Sequence, residues 1–572
     1  MDPVKFFRHP KTAGQKQYEA LRAFYIDHVP GKEVARCYGY TYPAFNSLKQ
    51  RFKEEDLTFF MTPPRGPKGP RVAATTRQTI IEYRRKNLSA YQIAETLETF
   101  DESVSVSTIA RILDQEGFSK LPRRTHLKIG RTKANTILPD YASSLDVSRL
   151  EGWEGDCAVG GIFLFAPLLE HFHLPAIVKK AKLPRSATIN SLNYFLAMLA
   201  LKLVGKARLS QISDFNFDKG FGLFAALNVL PKATAISTYS YRLSDRHLKT
   251  LMQEFVKAQH KAKTYGAGTI NLDFHTIQHY GDESVLDAHW SGARGKRVKG
   301  ALTVIAQDCD SKCQIYVDPD ILRAEADDQI LEFVKFWKKI RGPFSQTLVF
   351  DSKLTTYENL RRLNEDGVLF ISLRRRGKRL IDQISQIPSD QWRTIKLDAP
   401  KRKYRNPLIH DAMVELRGYG LIRQVIMTNN GREDPAFFIT NNEQADVADI
   451  VGNYAKRWRV ENSIEEAVSF FNLNALSSPI LIKVHFDVLL TMMADTLYYH
   501  LARSLRGFEA CDSAKLFRHF VDMPAKLKVR GDEIHVRFPL RAHSPVLRSA
   551  GLDKGTAPIS WLGNRRLRYE WG

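Results

Sequence analysis

The sequence predicts an α/β core that contains a strand-rich segment and is preceded by small α-helical modules. Three observations carry this. Apolar residues recur at helical spacing up to about residue 265, the period changes to two at 269, and helix-like and strand-like runs alternate from 327 to 373. At 572 residues the chain has room for about four domains of roughly 150 residues each. A hydrophobic content of 44% is ordinary for proteins with buried cores. The charge is less ordinary: 85 Lys and Arg against 62 Asp and Glu give +23, which favours a polyanionic partner. A basic enzyme without such a partner is the plainer alternative.

Residues 15–53 read as three short helices. Tyr18, Leu21, Phe24 and Tyr25 form an apolar stripe, Val34 and Ala35 point inward on the second, and Gly39 supplies a turn. The third helix carries Asn46, Lys49, Gln50 and Arg51. This is the pattern of a helix-turn-helix, whose last helix enters the major groove, although a plain three-helix bundle gives the same pattern. Residues 62–71 hold four prolines and two glycines among basic residues, so they form neither helix nor strand. They read as a spacer along a phosphate backbone or as a solvated linker.

A second helical unit follows at 75–118. Ile80, Ile81 and Tyr83 make one apolar face, Ser89 caps the next helix, and Ser105 or Ser107 caps a last helix that ends at Gly117. Read as a second helix-turn-helix, it offers Ser107 and Arg111 to DNA. The expected divisions are modules at 1–60 and 72–125 joined by a linker at 61–71, a basic connector at 126–150, and a helical domain at 151–265. A core follows in two parts, 266–380 and 441–505, around a strand-rich segment at 381–440, and 506–572 is a basic C-terminal region. Five scattered cysteines show no zinc spacing, and the start of the chain is polar and basic, so a reducing cytoplasmic setting without a membrane is expected.

Residues 269–274 alternate, with Ile270, Leu272 and Phe274 on one side and Asn271 and Asp273 on the other. Strand-like runs at 301–306 and 314–317 suit an antiparallel meander. A helix at 327–340 then leads to the strand that ends at Asp351. Asp273 and Asp351 are both expected at the carboxyl ends of strands. Much further on, Tyr454, Arg457 and Glu461 share one face if read as a helix. A phenol, a guanidinium and a carboxylate on one stripe suit a site for a phosphate and a metal ion, and three carboxylates are enough to anchor magnesium. Taken singly, either aspartate reads equally well as a turn or cap residue, and Glu461 as a surface partner of Arg457. Glu465 lies on nearly the same face as Glu461 and is its rival, while His275 and His279 lack a third ligand at a recognisable spacing. Trp458 reads as a packing anchor.

This arrangement resembles the bacterial insertion-sequence DDE transposases of the branch with a Tyr-x2-Arg-x3-Glu-x6-Lys signature. The resemblance is carried by Tyr454, Arg457, Trp458 and Glu461, by Leu272-Asp273, and by Val349-Phe-Asp351-Ser, over about residues 266–505. It implies an RNase H-like catalytic core with a β-rich insertion. It also implies two Mg²⁺ or Mn²⁺ ions held by Asp273, Asp351 and Glu461, and cut-and-paste chemistry on double-stranded DNA. The expected partners are terminal inverted repeats, target DNA and a second copy of the chain in a synaptic dimer. Tyr454 and Arg457, with Arg374, Arg375 and Arg376, are expected to contact phosphate, and Trp392 to stack on an extruded base. One departure stands out. The signature lysine falls at Val468, so its phosphate contact comes from Arg374–Arg376 or Lys483, or the copy is impaired. The other readings are a catalytically inactive DNA-binding regulator and a structure-specific nuclease.

Overall fold

The computed structural model describes residues 7, 9–54, 57, 59, 72–100, 102–121, 144–266, 268–280, 286–291, 295–375, 377–397, 406–429, 431, 435–475 and 478–572. Arg376, the 61–71 linker and most of the basic connector lie outside them. The chain divides into two compact units, Met1–Ala73 and Ala74–Gly572.

Among the described residues the first unit contains the helices Ala13–Tyr25, Gly31–Cys37 and Tyr42–Glu54. Thr12 caps the first by accepting from the Gln15 N–H, and Gly39 takes the left-handed conformation that its turn demands. Ala20, Leu21, Val34, Ala35, Phe45 and Leu48 form its core. On the third helix Gln50 and Arg51 are exposed and Asn46 is half-buried. The Lys49 ammonium lies 4.3 Å from the centre of the Phe24 ring, so its stem packs against the module.

The second unit opens with the helices Ala74–Arg85, Ala90–Glu98 and Val106–Gln115, close to the expected bounds. Ser89 forms a capping box with Gln92, and Ser105, rather than Ser107, caps the last helix. Ser107 and Arg111 are exposed. This helical trio is fastened to the rest of the unit. Arg85, almost fully buried, stands 3.7 Å from Asp320, and Asn87 donates to the carbonyls of Tyr241 and Leu243.

Burial pushes Asp320 up to about 6, against the pull of Arg85 and with Asp318 and Asp245 adding to it. Its folded value lies above its unfolded value near 3.9, so the charged form costs stability above pH 6, and that cost lifts as the pH falls. The stability of the wild type relative to Asp320→Asn should therefore rise by roughly 2–3 kcal/mol between pH 7 and pH 4. Denaturant titrations at several pH values would show this, and a flat difference would contradict it.

One sheet of ten strands organises the core. Its strands are β2 (Thr269–Gln278), β3 (Ala288–Ser291), β4 (Lys296–Asp308), β5 (Gln314–Ile321), β6 (Thr347–Phe350), β7 (Leu369–Leu373), β8 (Arg393–Thr394), β9 (Leu408–Leu416), β10 (Gly420–Thr428) and β11 (Ala436–Thr440); β1 (Glu154–Cys157) belongs to another sheet. The path runs β3-β4-β2-β6-β7-β11-β10-β9-β8, with β5 on β4. β5, β4 and β2 form the expected antiparallel meander, and β2, β6 and β7 are parallel. The helices Gln329–Arg341 and Tyr357–Glu365 make the crossovers into β6 and β7 that parallel pairing requires. The strand-rich segment extends the same sheet through β11 on β7. It also shares a core with it: Val349 and Ile371 pack with Ile409, Val425, Phe438 and Ile450.

Two expectations need correction. Residues 151–265 are not wholly helical, and the C-terminal region is not merely basic. β1 pairs with β12 (Ala525–Arg530), and β13 (Glu533–Phe538) and β14 (Arg566–Trp571) complete a four-stranded sheet. The sequence Glu154-Gly-Asp-Cys buries only Cys157, so β1 has no apolar alternation to announce it. Elsewhere the apolar runs behave as buried helices: Ser191–Leu203 and Leu481–Ser504 cross in the interior beside Asp245–Lys261. Among the described residues no single helix is long and apolar enough to cross a membrane.

Candidate functional site

Asp273 and Asp351 meet through register. β2 and β6 pair in parallel from Thr269 with Thr347 to Leu272 with Phe350, and the next residue on each chain is the aspartate. Asp351 stands one residue past the end of β6, close to the strand end expected. Asp273 is not at a strand end: β2 continues to Gln278, held by β4 through the pair Gln278 and Gly300. Its alternation fades at His275-Thr276, which made the strand look shorter than it is. Neither aspartate caps the crossover helix, because Thr356 does that by accepting from the Asn359 N–H. Each carboxylate instead accepts from the backbone of the residue after it, Phe274 at 2.8 Å and Ser352 at 2.7 Å.

The stretch that carries Tyr454, Arg457 and Glu461 is not one helix. It breaks between Val447–Ala455 and Trp458–Ser469, with Arg457 at the junction. The second helix is fixed to the sheet on the side that Asn271 and Asp273 face. Arg459 donates to the Cys309 carbonyl at 2.8 Å, Gln307 donates to Ser463, and Asn271 donates to the Lys456 carbonyl at 3.5 Å. His275, one alternation further along β2, pairs with Asn474 at 3.0 Å and is half-buried, and desolvation lowers its pKa.

The break lets Arg457 span two elements. Nη1 donates to Asp273 Oδ2 at 2.8 Å and Nη2 to Glu461 Oε1 at 2.6 Å. Burial alone would lower the Arg457 pKa, but the charge of Asp273, then Tyr454 and Glu461, raises it. Burial raises Asp273 above the usual carboxylate range. Arg457 and the Phe274 N–H oppose that rise, and Glu461 and Asp351 add to it. The Tyr454 ring packs edge-on against Phe438, and its hydroxyl is pushed up to about 12, first by burial; Arg457 opposes, and the Asp351 and Asp273 charges raise it further. At pH 7 this tyrosine is a neutral hydrogen-bonding group.

A cleft of about 920 Å³ opens beside the cluster, lined by Asp351, Arg374, Arg375, Tyr454, Arg457, Trp458 and Lys353 among others. Arg374 is braced by Gln424 at 2.7 Å, and Arg375 by the Ser352 carbonyl at 3.1 Å. Trp458 is 56% exposed, so it is a wall of the cleft and not the packing anchor that its sequence context suggests. Trp392 is outside the lining and packs near His410, with ring centres 5.7 Å apart. Lys483 is also outside it, 4.4 Å over the Tyr241 ring. Sequence reasoning missed Lys353, whose only signal was its place two residues after Asp351. It is the lysine that the cleft contains. Glu465 is exposed, one turn beyond Glu461 and outside the Arg457 bridge.

The donor set of Asp273, Asp351 and Glu461 offers the hard oxygens that magnesium prefers. Among the described residues, however, no three His, Cys, Asp or Glu side chains stand around one point as metal ligands. The Arg457 guanidinium supplies the positive charge between two of these carboxylates.

Fold and site together define a mixed α/β protein with a carboxylate–arginine cluster beside a basic cleft. No protein-family model matches the chain, and no curated protein does. Among solved structures, a piggyBac transposase synaptic complex with hairpin DNA aligns at 12% identity, covering 64% of this chain and 82% of that one, with a TM-score of 0.35. A Mos1 transposase paired-end complex with a left transposon end aligns at 12% identity over 59% and 70%, with a TM-score of 0.15.

Proposed function

We propose that this chain is a DDE-type DNA transposase that binds the ends of a mobile element and catalyses DNA cleavage and strand transfer. One observation carries the reading. The fold gathers Asp273, Asp351, Tyr454, Arg457 and Glu461, from three distant stretches of sequence, to one end of the β2–β6 pair beside a cationic cleft. The strand order β5-β4-β2-β6-β7, antiparallel and then parallel, agrees with an RNase H-like core.

In this reading Asp273, Asp351 and Glu461 would hold divalent magnesium or manganese, and the ions would supply positive charge to offset the negative charge developing on the attacked phosphodiester. The chain's own residues bind and orient. Arg374, Arg375 and Lys353 receive the phosphate backbone in the cleft, and neutral Tyr454 donates a hydrogen bond to a phosphate oxygen. Water attacks the phosphodiester at the element end, its new bond to phosphorus replacing the bond to the 3′-oxygen, which leaves and takes up a proton as a 3′-hydroxyl. That hydroxyl then attacks a target phosphodiester and displaces the target strand's 3′-oxygen. Asn46, Gln50 and Arg51 on the third helix of the first unit, and Ser107 and Arg111 on the second trio, present polar groups to the element ends.

The test is joining. The purified chain, given a duplex with the element's two ends and a supercoiled target, should produce Mg²⁺-dependent strand-transfer products. Nicking without joining would favour a structure-specific nuclease. Binding without either reaction would favour an inactive regulator, the reading to which Val468 in place of a basic residue points.

The two helical modules should separate in a deletion. Because Arg85 and Asn87 fasten the second trio to the core, removing residues 1–73 leaves those contacts intact. Affinity for element ends should fall by roughly tenfold or more toward the nonspecific level, with a shallower salt dependence. A gel shift showing full specificity in the truncated chain would remove the first unit from end recognition.

A further inference from the structure

We propose that Arg457 is an internal cation that holds Asp273 and Glu461 closed against a metal ion until a DNA phosphate draws it into the cleft. Divalent-metal binding and DNA binding are then coupled. This rests on the reading of the cluster as a metal-dependent DNA site and goes beyond it by stating what opens the site.

The geometry is that of a bridge. A planar guanidinium presents its N–H groups in a fixed fork, and here two branches of the fork serve carboxylates on different elements, one on β2 and one on the helix Trp458–Ser469. The oxygens so occupied belong to two of the three carboxylates that a divalent ion would need, and Asp351 is on the neighbouring strand. A metal ion and Arg457 therefore compete for the same acceptors. With the arginine in place, Asp273 and Glu461 already have their counter-charge.

The bridge is also incompletely satisfied. The Arg457 Nε is buried with no hydrogen-bond acceptor, although the side chain is only 17% exposed. A buried donor left unpaired is costly, so a position that satisfies the whole group competes well with this one. The cleft supplies that alternative. Arg457 is itself part of the lining, with Lys353, Arg374 and Arg375 nearby to attract a phosphate, and phosphate oxygens accept from guanidinium in pairs. The residue stands at the break between two helices, so it can shift without disrupting the middle of a helical ladder. Once it turns toward a phosphate, Asp273 and Glu461 are free beside Asp351. Linkage makes the coupling reciprocal: DNA tightens metal binding as much as metal tightens DNA binding.

The measurement is the Mn²⁺ affinity of the full chain, read from the electron paramagnetic resonance of free Mn²⁺ with and without a short mixed-sequence duplex. The wild type should bind Mn²⁺ on the order of tenfold more tightly with duplex present. Arg457→Gln should reach that tighter affinity without duplex and gain little from adding it. Equal wild-type affinity with and without duplex, which needs no variant, would overturn the proposal. So would an Arg457→Gln protein that binds Mn²⁺ no better than the wild type. Asp273→Ala separates the two levels. If it loses Mn²⁺ while Arg457→Gln fails to gain it, the metal site stands and the latch falls. If Asp273→Ala binds Mn²⁺ as the wild type does, the metal site and the latch fall together.

Discussion

Alanine at Asp273 or at Asp351 should abolish DNA cleavage and joining while leaving DNA binding in place. The expected loss is at least about 10³-fold, or roughly 4 kcal/mol of transition-state stabilisation, as removal of one preorganised charged group from such a centre typically costs. Neither substitution should unfold the chain. Asp273 is a half-buried carboxylate held above its ordinary pKa, so its loss removes a partly desolvated charge, and Arg457 keeps Glu461 as a partner. Among the described residues Asp351 makes only short-range bonds to Ser352. Circular dichroism and a gel shift would control for fold and binding. Cleavage at wild-type rate in either variant would end the transposase reading. Glu461→Ala should behave like the aspartate variants and Glu465→Ala like the wild type, and the reverse result would move the third carboxylate one turn along.

Most of the architecture around these residues was legible because its signals are local. Period-two alternation marked β2, the runs at 301–306 and 314–317 marked β4 and β5, and serine caps marked the helices of the second trio. The aspartates were found for the same reason, at polar positions in otherwise apolar strands. What escaped depends on partners remote in sequence. β1 is four residues with one buried side chain, and it is a strand only because β12 lies beside it. The helix break at Arg457 has no glycine or proline to announce it. Instead Arg457 bridges Asp273 and Glu461 at the break, and Asn271 donates to the Lys456 carbonyl there. Trp458 illustrates the limit on side chains: indole suits a core and a cleft wall equally, and only the placement of Arg374 and Arg375, just past β7, decides which.

A second large effect should come from the interior, where Asp487→Ala should destabilise the second unit by about 3–5 kcal/mol. Lys202, 2% exposed at its side chain, reaches across from the helix Ser191–Leu203 to Asp487 on Leu481–Ser504 at 2.8 Å, and donates also to the Phe471 carbonyl at 2.9 Å. Burial raises the Asp487 pKa while Lys202 pulls it down, so the pair is held together by mutual need. Removing the carboxylate leaves an ammonium in an apolar interior with one carbonyl for company. Replacing both residues, Lys202→Met with Asp487→Leu, should recover most of the loss, because neither buried charge remains. The effect bears on the site as well: Phe471 follows directly on the helix that carries Glu461, so loosening this anchor should weaken the hold on the third carboxylate. Chemical-denaturation midpoints of the single and double variants decide the matter, and a single variant within about 1 kcal/mol of the wild type would mean that water or a rearranged partner satisfies Lys202.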